Sequence, residues 1–342
     1  MEKTLFKQIF DEKLHIYLKK KIQQAKQTIQ HTRIEEIIDH TKKIILWWWK
    51  RIRPYGFVLG YSLYADTIPE EVRQFAITFE LLHSMALIHD DVIDQADKRH
   101  NVHTIQHFIR TNYPKSTQRI AEWQAILVGD ILLARVYENM IQYNSTETKQ
   151  AAIQIVHNMI QEVILWQMID VDLAIGEPTT IDMIEKKNLY KTARYTFARP
   201  MTAGAIRAQT RQDQIDILHR VGESLWLAFQ MRDDLIDITE SEKDKNTFYD
   251  IQTGQQTLLT QYIQEHQNNI YAHILQSHMG KVLDAAAKQQ LKEMFVQSWA
   301  IDFAKKEIQK YTDQALKYAQ DIQYTNKKSY QNLEWLIAFV RD

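Results

Sequence analysis

The 342-residue chain carries 42 basic and 43 acidic residues for a formal net charge of -1, so no global field recruits nucleic acid or an anionic membrane surface. It has no cysteine, which excludes disulfides, thiolate metal sites and a cysteine nucleophile and leaves oxygen or imidazole as donors for any metal. With 45% hydrophobic residues but only 8 Gly and 5 Pro, it can bury a substantial core with few helix breaks, and long helices are expected.

Taken in order, residues 1–45 are expected to form N-terminal helices ahead of a catalytic bundle over 46–342. The longest apolar run, Ile44 to Trp49, falls far short of the ~20 residues needed to cross a bilayer, so no transmembrane segment is expected and the cytoplasm is the default location. Lys50-Arg51-Ile52-Arg53-Pro54 gathers positive charge before a proline, in the form of a phosphate-binding corner. After Pro69, the residues Val72, Phe75, Phe79, Leu82 and Ala86 recur at steps of three and four and predict a helix that ends in acid, at Asp90-Asp91-Val92-Ile93-Asp94.

Arg99 follows that cluster, and Lys191-Thr192 lies in the middle of the chain. A second helix is predicted from about Ile215 to Ile238, with Leu218, Val221, Leu225 and Phe229 as its stripe. It too ends in acid, at Asp233-Asp234-Leu235-Ile236-Asp237, with Lys245 shortly after. Strand signals are weak, and no linker, low-complexity tract or repeat marks a boundary. The expectation is an all-α, single-domain helical bundle around a central pocket.

Spacing of four places Asp90 beside Asp94, and Asp233 beside Asp237, on one helix face each. One such cluster reads as a solvated acidic helix end. An acidic C-terminal turn opposes the helix dipole by ~0.3 to 1 kcal/mol per charge, so the same unfavourable arrangement twice points to a site that a cation relieves. Carboxylate oxygens suit Mg²⁺, which is typically completed by water and substrate phosphates, and two acidic walls facing each other would clamp a diphosphate.

The paired D-D-x-x-D clusters, the Phe229-Gln230 before the second, the Lys191-Thr192-Ala193 between them and the basic corner together resemble the polyprenyl (isoprenyl) diphosphate synthase family. Leu81-Leu82-His83, Gly129-Asp130, Gln167 with Asp170, and Trp335 to Val340 extend the resemblance over most of the chain. It implies a Mg²⁺-dependent trans-prenyltransferase that condenses isopentenyl diphosphate with an allylic prenyl diphosphate. Asp90, Asp91, Asp94, Asp233, Asp234 and Asp237 would hold about three Mg²⁺ ions with the allylic diphosphate. Arg99, Lys191 and Lys245 would contact that diphosphate. Lys50, Arg53 and His83 would hold isopentenyl diphosphate, and Lys191, Thr192 and Gln230 would face the allylic cation. A homodimer is the implied assembly.

The chain departs from the family pattern in four places. Trp48-Trp49 stands where glycines give the corner φ > 0 freedom. His100 replaces an isopentenyl-binding arginine, Trp226 a small residue, and Gln255 a phosphate-reaching lysine. Ala86 and Met85, rather than an aromatic, precede the first Asp, with Ala86 about 6 Å below it by the helical rise, which implies a product of C20 or longer. The alternatives are a terpene cyclase on the same fold, which needs no isopentenyl site, and a non-catalytic subunit of a heteromeric synthase, which would be expected to lose acidic ligands.

Overall fold

The computed structural model describes residues 2–47, 50–99, 102–142, 147–174, 195–239, 247–266 and 269–341. These residues are helical nearly throughout, and they form two compact units, Met1–His219 with Ile322–Leu333, and Arg220–Asp321 with Glu334–Asp342.

The first unit opens with α1 (Lys3–Ile29), which buries Phe6, Phe10, Leu14 and Leu18 at steps of four, and α2 (Thr32–Trp47) packs against it. Next come α3 (Ile52–Ser62), α4 (Glu70–Phe75) and α5 (Ile77–Ile93). The stripe expected after Pro69 is therefore present but jointed at Ala76. The Asn139 amide donates there to the Gln74 carbonyl (3.1 Å) and to the Thr78 hydroxyl (2.8 Å), so a side chain enters the helical ladder. Phe57, Phe75 and Phe79 meet across this joint with centroids 5.0 to 6.2 Å apart, all fully buried and each contributing roughly 1.5–3 kcal/mol.

A two-stranded antiparallel hairpin, β1 (Lys98–Arg99) with β2 (Val102–His103), follows α5 and pairs Arg99 with Val102. It is the one strand pair among the described residues, too short for alternation to announce it. The unit continues with α6 (Ile105–Asn112), α7 (Gln118–Gln142), α8 (Glu147–Ala174) and α9 (Arg199–Arg207). Two contacts bring backbones unusually close. A Cβ on Gly60 would stand 2.1 Å from the Met201 carbonyl oxygen, and one on Gly204 would stand 2.0 Å from the Phe57 carbonyl oxygen, so α3 and α9 pack directly main chain to main chain. On α7, Gly129 leaves room for the His89 ring, whose Nε2 lies 3.1 Å from the Ile126 carbonyl.

The boundary between units falls inside α10 (Gln212–Thr239), close to the expected helix at about Ile215 to Ile238. The second unit adds α11 (Tyr249–Gln252), α12 (Leu258–His266), α13 (Asn269–His278), α14 (Ala285–Gln297) and α15 (Ala300–Ala319); the unit boundary falls again inside α16 (Lys327–Arg341), after Leu333. Its aromatic contacts include Phe248 stacked on Phe295 (6.3 Å) and Tyr262 stacked on Phe303 (4.2 Å). Among the described residues no helix is long and apolar enough to cross a membrane.

Candidate active site

In the first unit the acidic cluster occupies the last turn of α5, with Asp94 as its C-cap. Asp90 and Asp91 point about 100° apart around the helix, and their environments differ accordingly. The Asp90 side chain is a quarter exposed, whereas that of Asp91 is buried. Arg99, delivered by the hairpin, donates from Nε to Asp91 (2.7 Å) and from Nη2 to Asp90 (3.1 Å). Burial pushes the Asp91 carboxyl up to about 6 against the pull of Arg99. Gln106 ties the same turn down by donating to the Asp91 carbonyl (2.7 Å) and the Ala96 carbonyl (2.9 Å).

The basic corner is built around Arg51. This residue takes φ 46°, the left-handed conformation that costs a non-glycine residue roughly 1–2 kcal/mol. Its guanidinium donates to Asp11 (2.7 Å), to the Ile45 carbonyl (3.0 Å), to the Leu46 carbonyl (3.1 Å) and to the buried Glu80 on α5. Hydrogen bonds to charged groups contribute about 1.5–3 kcal/mol each and offset the strain. The left-handed turn at this position is thus made by an arginine held from four sides. Trp48 and Trp49 themselves lie outside the described residues.

Arg53, one residue into α3, is brought to α9 by the glycine contacts of those helices. Its Nη2 donates to Thr196 Oγ1 (2.8 Å), and its Cζ stands 4.3 Å from the Tyr195 ring centroid, within cation–π range. Burial lowers the Arg53 pKa, yet a guanidinium remains charged at any physiological pH. His83 joins the group, its ring 6.3 Å from that of Tyr195 and edge-on to it. Burial first, then Arg53, Arg99 and Arg51, hold the His83 imidazole well below its usual range, so it is neutral at pH 7. His83 and Asp90 lie seven residues apart on one continuous helix, so α5 places a neutral imidazole, with Arg53 of α3 beside it, at one level and carboxylates two turns on. Lys50 is exposed at the start of the corner.

In the second unit, Asp233, Asp234 and Asp237 occupy the last two turns of α10. Asp233 is exposed, whereas Asp234 is buried and accepts from Gln230 Nε2 at 2.6 Å. Burial pushes the Asp234 carboxyl up to about 7, with Asp250 and Asp233 adding to the shift and Gln230 opposing it. The two motifs therefore share a pattern in which the second aspartate is the buried one. Asp237 instead accepts from the backbone N–H groups of Tyr249 (3.1 Å) and Asp250 (3.3 Å) at the start of α11. Trp226 is buried with its ring 5.6 Å from Phe229, and Gln255 is exposed, its N–H donating to the Asp250 carbonyl (2.8 Å).

His100, Lys191, Thr192 and Lys245 lie outside the described residues. Within the first unit, the sequence-expected Arg53, His83, Asp90, Asp91 and Arg99 are assembled along α5 and its neighbours. Sequence reasoning missed the structural role of Arg51 and the pairing of Arg53 with Tyr195 and Thr196. The left-handed turn at Arg51 has no sequence signature, and the second contact joins residues 143 positions apart.

Compared with known proteins, residues 34–297 match the family model described as polyprenyl synthetase. The short chain isoprenyl diphosphate synthase of Methanocaldococcus jannaschii is 29% identical over 230 residues, 66% of this chain and 65% of that protein, so the matched region spans just under two thirds of that relative. The geranylgeranyl diphosphate synthase of Sulfolobus acidocaldarius is 26% identical over 278 residues, 78% of each chain. Among solved structures, geranylgeranyl pyrophosphate synthase from Corynebacterium glutamicum, complexed with isoprenyl diphosphate and magnesium, superposes with a TM-score of 0.87 at 24% identity, covering 97% of this chain and 98% of that one.

Proposed function

Because the chain belongs to the polyprenyl synthetase family, we propose that it is a trans-prenyltransferase that condenses isopentenyl diphosphate head-to-tail with an allylic prenyl diphosphate. The observation that carries this reading is the buried guanidinium of Arg53 grouped with the neutral His83 imidazole on the same unit as Asp90 and Asp91, with His83 two helical turns from Asp90. Carboxylates alone would serve a cyclase as well. A separate anion-binding group beside them calls for a second diphosphate, which a cyclase lacks.

Asp90, Asp91 and Asp94 on the first unit, and Asp233, Asp234 and Asp237 on the second, are the residues that would hold magnesium. The donors are hard carboxylate oxygens, and each motif sets a more exposed aspartate beside a buried one. That suits an ion completed by water and phosphate rather than by an all-protein cage. When bound, about three Mg²⁺ ions would neutralise charge on the leaving diphosphate. Arg99 keeps Asp90 and Asp91 oriented and, with Lys191 and Lys245, adds positive charge toward the same diphosphate. Lys50, Arg53 and His83 hold isopentenyl diphosphate so that its double bond meets the allylic carbon as diphosphate departs. His100, at an arginine position of the family, adds weaker contact there. A proton is then lost to the released diphosphate. Gln230 commits its amide nitrogen to Asp234, which leaves its oxygen, with Lys191 and Thr192, to face the electron-poor carbon.

A product of C20 or longer accords with the wall of α5 below Asp90. Ala86 is small and Met85 is flexible, and both line a cleft of about 230 Å³ with Val163, Gln167 and Met168 of α8. The same proposal includes a homodimer in the cytoplasm, and Trp123, Leu127 and Ile131, exposed at steps of four on α7, supply an apolar face for a second copy.

The test is a Mg²⁺-dependent assay with isopentenyl diphosphate plus dimethylallyl, geranyl or farnesyl diphosphate in turn, reading product length, with Asp90→Ala as control. Elongation that falls at least roughly 10²-fold in the variant is expected. Diphosphate release without consumption of isopentenyl diphosphate would overturn the reading in favour of a cyclase, and no turnover at all in favour of a non-catalytic subunit.

A further inference from the structure

Two buried polar atoms of the first unit, Arg53 Nε and Tyr195 Oη, belong to side chains in direct contact and have no hydrogen-bond partner among the described residues. Tyr195 is 5% exposed. A buried donor left unmade costs about 1–3 kcal/mol, so two in contacting side chains call for an acceptor. The remaining contacts of both residues have an orienting role. Thr196 accepts from Arg53 Nη2 (2.8 Å), and the Tyr195 ring lies under the guanidinium, so the arginine is held while its Nε stays uncommitted.

Backbone geometry at Tyr195 is also unusual. Tyr195 to Ala198 form a π-helical turn directly before α9, a conformation that clusters at functional sites because it re-aims one side chain out of the helical register. An acceptor-rich anion beside the Arg53 guanidinium would complete both donors at once, as a diphosphate would and a neutral prenyl tail would not. It must also lie beside His83, whose ring is 6.3 Å from that of Tyr195.

We propose that Tyr195 is a direct ligand of isopentenyl diphosphate, its hydroxyl and Arg53 Nε donating together to the diphosphate oxygens. This deepens the reading above and rests on it. Burial raises the Tyr195 pKa, so the phenol keeps its proton and remains a donor throughout the working range. The residue contributes affinity and placement and takes no part in bond making.

Tyr195→Phe keeps the ring under Arg53 and removes only the hydroxyl. The expected result is a rise of roughly tenfold in KM for isopentenyl diphosphate, as one hydrogen bond to a charged group contributes, with kcat and KM for the allylic substrate unchanged. Calorimetric titration of the intact protein with isopentenyl diphosphate alone should show the same loss of affinity, and Arg53→Gln with Tyr195→Phe should lose less than the sum of the two single changes. An unchanged KM and affinity in Tyr195→Phe would overturn the assignment, as would equal losses for both substrates, the mark of a merely structural residue. Those outcomes arise in an active enzyme. Wild-type protein that neither binds nor consumes isopentenyl diphosphate would instead sink the parent reading, and this inference with it.

Discussion

Gly204 faces the Phe57 carbonyl so closely that an added Cβ would stand 2.0 Å from its oxygen. The obstacle is main chain, which cannot swing aside as a side-chain tip could. Gly204→Ala should therefore destabilise at or above the upper end of the ~1–3 kcal/mol typical of overpacking, read as a lowered urea midpoint at constant slope. Gly56→Ala on α3 is the contrast, because there the new methyl meets only Met201 Cγ at 3.5 Å and Pro200 Cβ at 3.6 Å. Its steric cost should be small, and alanine's better helix propensity, up to ~1 kcal/mol, should hold stability level or raise it.

The buried pair of Arg51 and Glu80 gives a second prediction. Burial pushes the Glu80 carboxyl up even though Arg51 opposes it, so the pair is costly to split. Glu80→Gln should destabilise by ~3–5 kcal/mol, as removing one partner of a buried ion pair does, and should raise KM for isopentenyl diphosphate by loosening the corner. Replacing both, Arg51→Met with Glu80→Leu, should recover only part of the stability, because Asp11 and the Ile45 and Leu46 carbonyls lose their donor, and none of the affinity. Thermal unfolding and steady-state kinetics on the same preparations separate the two effects.

Product length should respond to the α5 wall. In Ala86→Phe an aromatic ring would fill the cleft shared with Val163 and Gln167, one turn below Asp90. The product distribution should shift toward C15, read by chromatography of the dephosphorylated prenols, while consumption of geranyl diphosphate continues.

His40 supplies a pH dependence that lies away from the chemistry. It stacks on Phe108 with centroids 4.1 Å apart, and its Nε2 lies 2.8 Å from the His103 carbonyl. Burial lowers its pKa from 6.5, with Lys43 and His103 pushing the same way and the hydrogen bond to His103 opposing. Below about 6.5 the unfolded chain therefore binds a proton that the folded chain resists, and stability falls as the pH drops through that value. Chemical unfolding at pH 7.5 and 5.5 should show a smaller pH-dependent difference in His40→Gln than in wild type.

How much of this was legible beforehand differs between fold and site. Helices announced themselves because few Gly and Pro residues interrupt long stretches of good helix formers, and the acidic ends of α5 and α10 were visible in spacing alone. The joint at Ala76 was not, since it is imposed by Asn139 from a helix 61 to 65 residues further on. For the site, the identity and helical phase of His83, Asp90 and Asp91 could be read from the chain because one helix carries all three. The roles of Arg51 and Tyr195 could not, because each depends on tertiary partners: Asp11 and Glu80 for the one, Arg53 for the other. At the corner, φ > 0 falls on Arg51, and an arginine in the sequence gives no sign of it.

That arginine has a consequence for how the corner meets a ligand. A glycine hinge would leave the segment free to sample many shapes, and binding would then have to freeze them at roughly 1–2 kcal/mol per residue ordered. Arg51 settles the shape when the chain folds, through bonds to α1, α2 and α5. The entropy is spent once, during folding, so a diphosphate bound there as proposed would meet charges already in position.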